Sequence, residues 1–155
     1  MKRAVIVLLA AAMVFAVVSL CGCGRVRHYD YTGELDNIAS VEILDITYTS
    51  SCEEELEYEV KRVFEQDEWA HVIGDAAKLD YRTMLGDPPF WQEGLALKIE
   101  FVEPVDGNVY VLLTRLSPVF AETKNGEIDL QSYAPSCRSE QWDAFIAKYT
   151  DIDPE

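Results

Sequence analysis

A run of seven residues in the middle of the chain limits the possible folds more than any other feature. In residues 95–101, LALKIEF, large apolar side chains alternate with small or charged ones, as in a strand that is buried on one face. The dipeptides Asp106-Gly107 and Asn125-Gly126 follow, and both favour hairpin turns because they accept positive φ at low cost. We therefore predict antiparallel strands over residues 95–101, 109–116, 119–123 and 127–133.

Three further strands are predicted on the N-terminal side. Residues 39–49 are rich in β-branched side chains, which favour a strand, and a short strand is predicted over 79–85. Residues 53–64 fit two structures. Positions 56–60 alternate between apolar and charged side chains, whereas the apolar residues at 56, 60, 63 and 64 also have helical spacing. We favour the strand.

Two helices complete the predicted architecture. Asp67 is suited to cap a helix in which Trp69, Val72, Ile73 and Ala76 share one face. Residues 139–149 predict a second amphipathic helix at the end of the domain. The order of elements predicts an α+β fold, with an antiparallel sheet of about five to seven strands and two helices packed on one face.

The first 22 residues have the three parts of an export signal. Lys2 and Arg3 precede an apolar run, and small residues follow it. The sequence Leu20-Cys21-Gly22-Cys23 resembles the lipobox of bacterial lipoproteins, in which a leucine and a small residue precede a cysteine that is lipidated and becomes the new N-terminus.

This resemblance implies a signal peptide over residues 1–22, a diacylglyceryl group on Cys23, and a stable attachment outside the cytoplasmic compartment. An uncleaved membrane anchor is one alternative, because residues 4–20 have the minimum length of a membrane span. Ordinary secretion is the other.

A tether and a single domain are predicted after Cys23. Residues 24–37 show no sustained periodicity, so we assign 23–37 to the lipidated cysteine and tether and 38–155 to one extracytoplasmic domain. Arg25 and Arg27 lie close to the lipid, where each basic residue gains about 1 kcal/mol from anionic headgroups. Residues 30–155 contain all 28 acids and nine bases, so an anionic membrane is expected to repel the domain itself.

Cys52 and Cys137 remain in the domain once Cys21 is removed with the signal peptide and Cys23 is lipidated. An even pair of cysteines in an exported protein favours a disulfide. The bond would enclose 84 residues, for which the chain-entropy model gives about 4–5 kcal/mol. Two buried free thiols are the alternative.

Asp67, His71 and Asp75 are spaced four residues apart on one helix face, as a set of metal ligands could be. A solvated polar face explains the same spacing better, so we predict no metal site and no cofactor. His28 lies in the tether, and no serine has the sequence surroundings of a nucleophile elbow. No catalytic residue is therefore predicted.

Phe90 and Trp91 are the most unusual pair in the domain, because they follow two prolines in a loop between strands. Exposed tryptophans are over-represented at interface hot spots. Phe90 and Trp91 are therefore candidate binding residues if they are exposed, and cover the core if they are buried.

Charge and hydrophobicity exclude two functional classes. The net charge is −15, or −17 after removal of residues 1–22, so the chain lacks the basic surface that nucleic-acid binding requires. With 49% hydrophobic residues it is not a disordered polymer. We predict a non-enzymatic binding module held at a membrane by its lipid anchor, with a protein partner of cationic character. The alternatives are an inhibitor of a cationic secreted enzyme or peptide, and an envelope hydrolase.

Overall fold

The computed structural model describes residues 26–47, 57–83, 94–116, 118–132 and 135–150. Strands and helices follow one another there in an order close to the predicted one. They are a 3₁₀ helix (Thr32–Asn37), β1 (Ile38–Thr47), β2 (Glu57–Val63), α1 (Gln66–Ala76), β3 (Tyr81–Thr83), β4 (Gly94–Val105), β5 (Asn108–Thr114), β6 (Val119–Lys124), β7 (Glu127–Ser132), β8 (Pro135–Cys137) and α2 (Ser139–Tyr149).

Six of these strands form one antiparallel sheet in the order β2-β1-β4-β5-β6-β7. β3 and β8 form a second, two-stranded sheet in which Tyr81 lies opposite Cys137. The predicted α+β fold is confirmed, and the main sheet has a number of strands within the predicted range. Residues 57–63 form a strand rather than a helix.

The two predicted dipeptides form the hairpin turns of the main sheet. Asp106 (φ 51°) and Gly107 (φ 86°) join β4 to β5, and Asn125 (φ 55°) and Gly126 (φ 85°) join β6 to β7. Positive φ at both central residues matches the right-handed twist of the flanking strands. The two turns lie at the same end of the sheet, where Thr123 N donates a hydrogen bond to Gly107 O at 3.4 Å.

Both helices pack on one face of the main sheet, which we call the helix face. Its core side chains come from alternate positions of β1, β4 and β5 and from one side of each helix. They are Val41, Ile43, Leu97, Ile99, Phe101, Val111 and Leu113 from the strands, and Val72, Ile73, Ala76, Trp142, Phe145, Ile146 and Tyr149 from the helices. Since each large side chain stabilises the fold by roughly 1.5–3 kcal/mol when buried, this layer is the main source of stability.

The N-terminus of α1 differs from its prediction. The sequence predicts Asp67 as the capping residue, but the N-cap is Glu65 and Asp67 lies within the first turn. The Glu68 carboxylate accepts a hydrogen bond from Glu65 N at 3.0 Å, which is the reciprocal contact of a capping box. The prediction is wrong because the Glu65–Glu68 pair caps the helix two residues earlier.

The inner part of the predicted tether packs against the domain. Arg27 N donates to Tyr81 O at 2.8 Å, and Tyr81 N donates to Arg27 O at 3.1 Å. The ring of Tyr29 lies 5.0 Å from that of Tyr81, and the ring of Tyr31 lies 5.5 Å from that of Phe101. Part of the segment assigned to the tether therefore packs against the domain, because Tyr29 and Tyr31 are partly buried where the sequence shows no periodicity.

Candidate functional site

Cys23, Cys52, Phe90 and Trp91 lie outside the described residues. The lipidation, the disulfide and the aromatic loop therefore stay predictions. Cys137 is described, as a free thiol that is 5% exposed. Its Sγ lies 3.9 Å from Oε1 of Gln141. Burial raises the pKa of the Cys137 thiol to about 11, so at neutral pH the sulfur is protonated and is a weak nucleophile.

The carboxylate of Asp75, one of the three spaced side chains considered as metal ligands, is hydrogen-bonded to other side chains of the protein. It accepts hydrogen bonds from Lys78 Nζ at 2.8 Å, from the Tyr149 hydroxyl at 2.7 Å, and from Lys148 Nζ. The bond from Lys148 is the largest of the effects that hold the pKa of Asp75 well below its usual range. Among the described residues, no three His, Cys, Asp or Glu side chains gather at metal-binding spacing. Because Lys148 and Tyr149 belong to α2, Asp75 joins the two helices.

We expect Asp75→Asn to lower the free energy of unfolding at pH 7 by about 1–2 kcal/mol, since it weakens hydrogen bonds to charged groups at a partly exposed site. Urea unfolding at several pH values measures the effect. The Asp75 pKa is lowered on folding, so its stabilisation is complete above the unfolded-state value near pH 4 and is lost as the pH falls through the folded-state pKa.

The difference in the free energy of unfolding between the wild type and Asp75→Asn should therefore become smaller as the pH falls below about 4. Lys78→Gln is the matched control, because Lys78 is 77% exposed and lies in the turn that follows α1. It should change stability by no more than about 0.5 kcal/mol. If the difference in unfolding free energy stays constant from pH 7 to pH 3, the lowered pKa of Asp75 does not stabilise the fold.

The edge strand β2 exposes three apolar side chains on the face away from the helices. Tyr58, Val60 and Val63 are 49%, 44% and 60% exposed. Their directly opposed partners on β1 are Ile46, Leu44 and Glu42, and opposed residues of an antiparallel pair point to the same face of the sheet. Those β1 residues alternate with Val41 and Ile43 of the helix face. We call the opposite side of the main sheet the open face.

A buried apolar cluster continues the open face across the middle of the sheet. It consists of Leu44, Ile46, Ala96, Leu112 and Val119, with Tyr110 and Leu130 packed against it. No residue of the helices that the structure describes belongs to this cluster. The apolar part of the open face therefore runs from the exposed side chains of the β2 edge to β6 and β7, and its central cluster is itself at most 6% exposed.

Lys98 lies beside this cluster and is 14% exposed. Its Nζ is 2.7 Å from Oε2 of Glu100, 3.9 Å from Oε2 of Glu42, and 5.4 Å from the centre of the Tyr110 ring. Burial raises the pKa of Tyr110, with smaller contributions from Tyr58 and Glu100. Tyr58 and Tyr110 belong to strands with two others between them, about 14 Å apart in a flat sheet. Their interaction therefore requires a sheet that curls towards the open face.

The sequence identifies these residues only in part. Alternation in residues 56–60 predicts that Tyr58 and Val60 share one face of a strand. It does not show that β2 is an edge strand, because the order of strands depends on pairing between distant segments. The sequence also does not predict that Val63 lies on the open face. Its position there depends on a bulge between Ile43 and Leu44, which shifts the β1–β2 register.

Within the residues that the structure describes, the helices are too short or too polar for any of them to cross a bilayer. No protein-family model, no curated protein and no solved structure matches the chain.

Proposed function

We propose that the protein is a lipid-anchored extracytoplasmic binding module, without enzymatic activity, that holds a protein partner on its open face. The main observation is the row of exposed apolar side chains on β2, Tyr58, Val60 and Val63. Scattered apolar residues are normal on a surface, whereas three on one strand and one face, adjoining a buried apolar cluster, are typical of an interaction site.

The polar side chains of the open face are suited to binding a partner rather than to catalysing a reaction. The Lys98 ammonium is 2.7 Å from Glu100, so its charge is already balanced by a carboxylate. Burial raises the pKa of Tyr110, so its hydroxyl is neutral at physiological pH and suited to donate a hydrogen bond. Tyrosine beside aliphatic side chains is the composition that stable interfaces favour.

Charge indicates the chemistry of the partner. The chain has a net charge of −15. Glu57 and Glu59 alternate with the apolar row along β2 and lie on the other face of the sheet, so the attraction comes from the net charge of the whole domain. A cationic protein with an apolar contact surface would be attracted by the charge and held by the apolar row. A cationic secreted enzyme, which the module would inhibit, is the narrower form of this proposal.

Affinity capture with matched variants tests the proposal. The mature chain, residues 23–155, is immobilised in detergent and exposed to the envelope and secreted fractions of the source organism. We expect Val60→Asp to weaken retention of the partner at least about tenfold, because it places a charge at the centre of the apolar row. Higher salt should weaken retention by the wild type.

Ile128→Asp is the matched control, since Ile128 is 55% exposed and lies on β7, the opposite edge strand. It introduces the same charge on the same sheet and should leave retention unchanged. Equal retention by the wild type and both variants would exclude β2 as the interface. Circular dichroism of each variant confirms that the fold is intact.

A further inference from the structure

Four arginines in this acidic chain differ from most of its other basic residues. Lys61, Arg62, Lys78, Lys98 and Lys148 each lie within salt-bridge distance of a carboxylate. Arg27, Arg82, Arg115 and Arg138 are all exposed, and none of them forms a salt bridge with another residue that the structure describes. Their charges are therefore available to an external anion.

The backbones of these four arginines lie close to one buried residue, Tyr81, or to its strand partner Cys137. Arg27 pairs with Tyr81 through two backbone hydrogen bonds, of 2.8 and 3.1 Å, and Arg82 is its neighbour in β3. Cys137 lies opposite Tyr81 and precedes Arg138. Cys137 N in turn donates to Arg115 O at 2.7 Å. We call the end of the domain formed by these four residues the arginine end.

The opposite end of the main sheet is acidic. The arginine end lies where β5 finishes, since the Tyr81 hydroxyl donates to Thr114 O at 3.0 Å. The hairpin turns at 106–107 and 125–126 lie at the other end of the strands. Four acidic residues at these turns and the adjoining strand ends form what we call the acidic end: Glu103, Asp106, Glu122 and Glu127.

Carboxylates near the arginine end match its arginines in number, and Glu57, where β2 begins, lies at the same end of the main sheet. Asp80 lies 3.8 Å from the His28 imidazole, and Asp30 accepts two hydrogen bonds from Thr32. Glu140 and Asp143 lie on α2, near Cys137. The domain therefore has a gradient of charge along its strands, from an end at which exposed arginines and carboxylates are nearly balanced to an acidic end that also contains Lys124.

The lipid anchor of the proposed function would attach next to the arginine end. Only residues 24–26 separate Cys23 from Arg27, so the two Cα atoms are at most about 14 Å apart. Electrostatic attraction acts over about 8–10 Å at physiological ionic strength. Each basic residue this close to an anionic surface strengthens attachment about fivefold.

We propose that the arginine end is a docking surface for the anionic phospholipid headgroups of the membrane. This inference rests on the lipid anchor of the proposed function. Arg27, Arg82, Arg115 and Arg138 face the headgroup phosphates, and the acidic end is repelled into solution. The strands of the main sheet then stand upright on the membrane, and the open face is turned sideways, where a partner can reach it.

Labelling of arginine side chains with phenylglyoxal tests this orientation in the full lipidated chain. The protein is reconstituted into vesicles of phosphatidylcholine alone, or of phosphatidylcholine with phosphatidylglycerol, and labelled sites are quantified by mass spectrometry. We expect labelling of the arginine end to be several-fold lower on the anionic vesicles and to recover in high salt. Arg62, whose guanidinium is held by Glu68 at 2.7 Å, serves as the internal reference and should not change.

A charge-reversal variant provides the matched test. Arg82→Glu combined with Arg138→Glu should remove the difference between the two vesicle types at Arg27 and Arg115. Lys124→Glu, on the β6 strand near the acidic end, should leave that difference in place. Equal labelling of the wild type on both vesicle types would overturn the docking surface, as would the same protection by inorganic phosphate without vesicles.

Flotation separates failure of the anchor from failure of the docking surface. The wild type should float with vesicles of either composition, and Cys23→Ala should not float with phosphatidylcholine alone. If the wild type also fails to float with phosphatidylcholine, the anchor is wrong. In that case, the docking surface is still supported if the wild type floats with anionic vesicles and the Arg82→Glu, Arg138→Glu variant does not. The docking surface is overturned if the variant also floats with anionic vesicles.

Discussion

Reduction of the protein is expected to lower its free energy of unfolding by about 4–5 kcal/mol, because it would open the predicted Cys52–Cys137 disulfide. The chain-entropy model gives this magnitude for a loop of 84 intervening residues. An exported protein meets an oxidising compartment in which such a bond persists. The measurement is urea unfolding of the oxidised and reduced protein.

The described strand ends on either side of Cys52 are compatible with a bond to Cys137. β1 ends at Thr47 and β2 begins at Glu57, and these two residues pair at one end of the sheet. Arg115, whose carbonyl binds Cys137 N, follows β5 at the same end. The ends of β1 and β5 are two strand spacings apart in the sheet, which is about 10 Å. The five residues from Thr47 to Cys52 can span about 17 Å, which is enough to cover that distance.

The free-thiol alternative gives a different result. Burial raises the pKa of the Cys137 thiol to about 11, so a reduced Cys137 should react slowly with maleimide in the folded protein and quickly in urea. A disulfide instead predicts no labelling of either cysteine in urea until reductant is added. Cys52→Ser is the control, and its stability should be the same with and without reductant. Two labelled thiols in oxidised, unfolded protein would rule out the bond.

Local signals in the sequence account for the parts of the fold that were predicted. Asn125-Gly126 and Asp106-Gly107 need only their own backbone preferences to form turns. Ser139–Tyr149 has an apolar face with helical spacing, and its predicted bounds are those of α2. In each case the decisive interactions lie within about ten residues, so a single sequence contains them.

Pairing between distant segments explains what the sequence did not show. β8 has three residues, too few for a periodic pattern, and it exists because it pairs with β3, more than fifty positions earlier. Arg27 joins the same small sheet through Tyr81. The edge position of β2, which exposes Val60, follows from a strand order that no local signal contains.

The candidate sites, too, could be predicted from the sequence only where local patterns determine them. Tyr58 and Val60 could be assigned to one strand face from their alternation, but their exposure depends on which strands lie beside β2. Arg82 and Arg138 are separated in sequence and belong to the same end of the domain only because β3 and β8 pair. A cluster of charges assembled by tertiary structure is therefore invisible in composition, which shows only that the chain as a whole is acidic.

Tyr81→Ala is expected to lower the free energy of unfolding by about 3–5 kcal/mol, the range for truncation of a buried aromatic side chain. Tyr81 is fully buried, its ring lies 5.0 Å from that of Tyr29, and its hydroxyl donates to Thr114 O at 3.0 Å. The side chain thus joins the N-terminal segment, the small sheet and the main sheet. Tyr81→Phe keeps the ring and should cost only about 1 kcal/mol, the net worth of one hydrogen bond.

Loss of the Tyr81 ring should also release the N-terminal segment before the domain unfolds, because Tyr29 loses its edge-to-face partner. We expect trypsin to cleave after Arg27 at least several-fold faster in Tyr81→Ala than in the wild type, at a temperature where circular dichroism shows both to be folded. Tyr110→Ala is the control, since Tyr110 packs against the cluster on the open face. It should destabilise the domain without changing cleavage at Arg27. Equal cleavage in Tyr81→Ala and Tyr110→Ala would mean that Tyr81 does not hold the N-terminal segment against the domain.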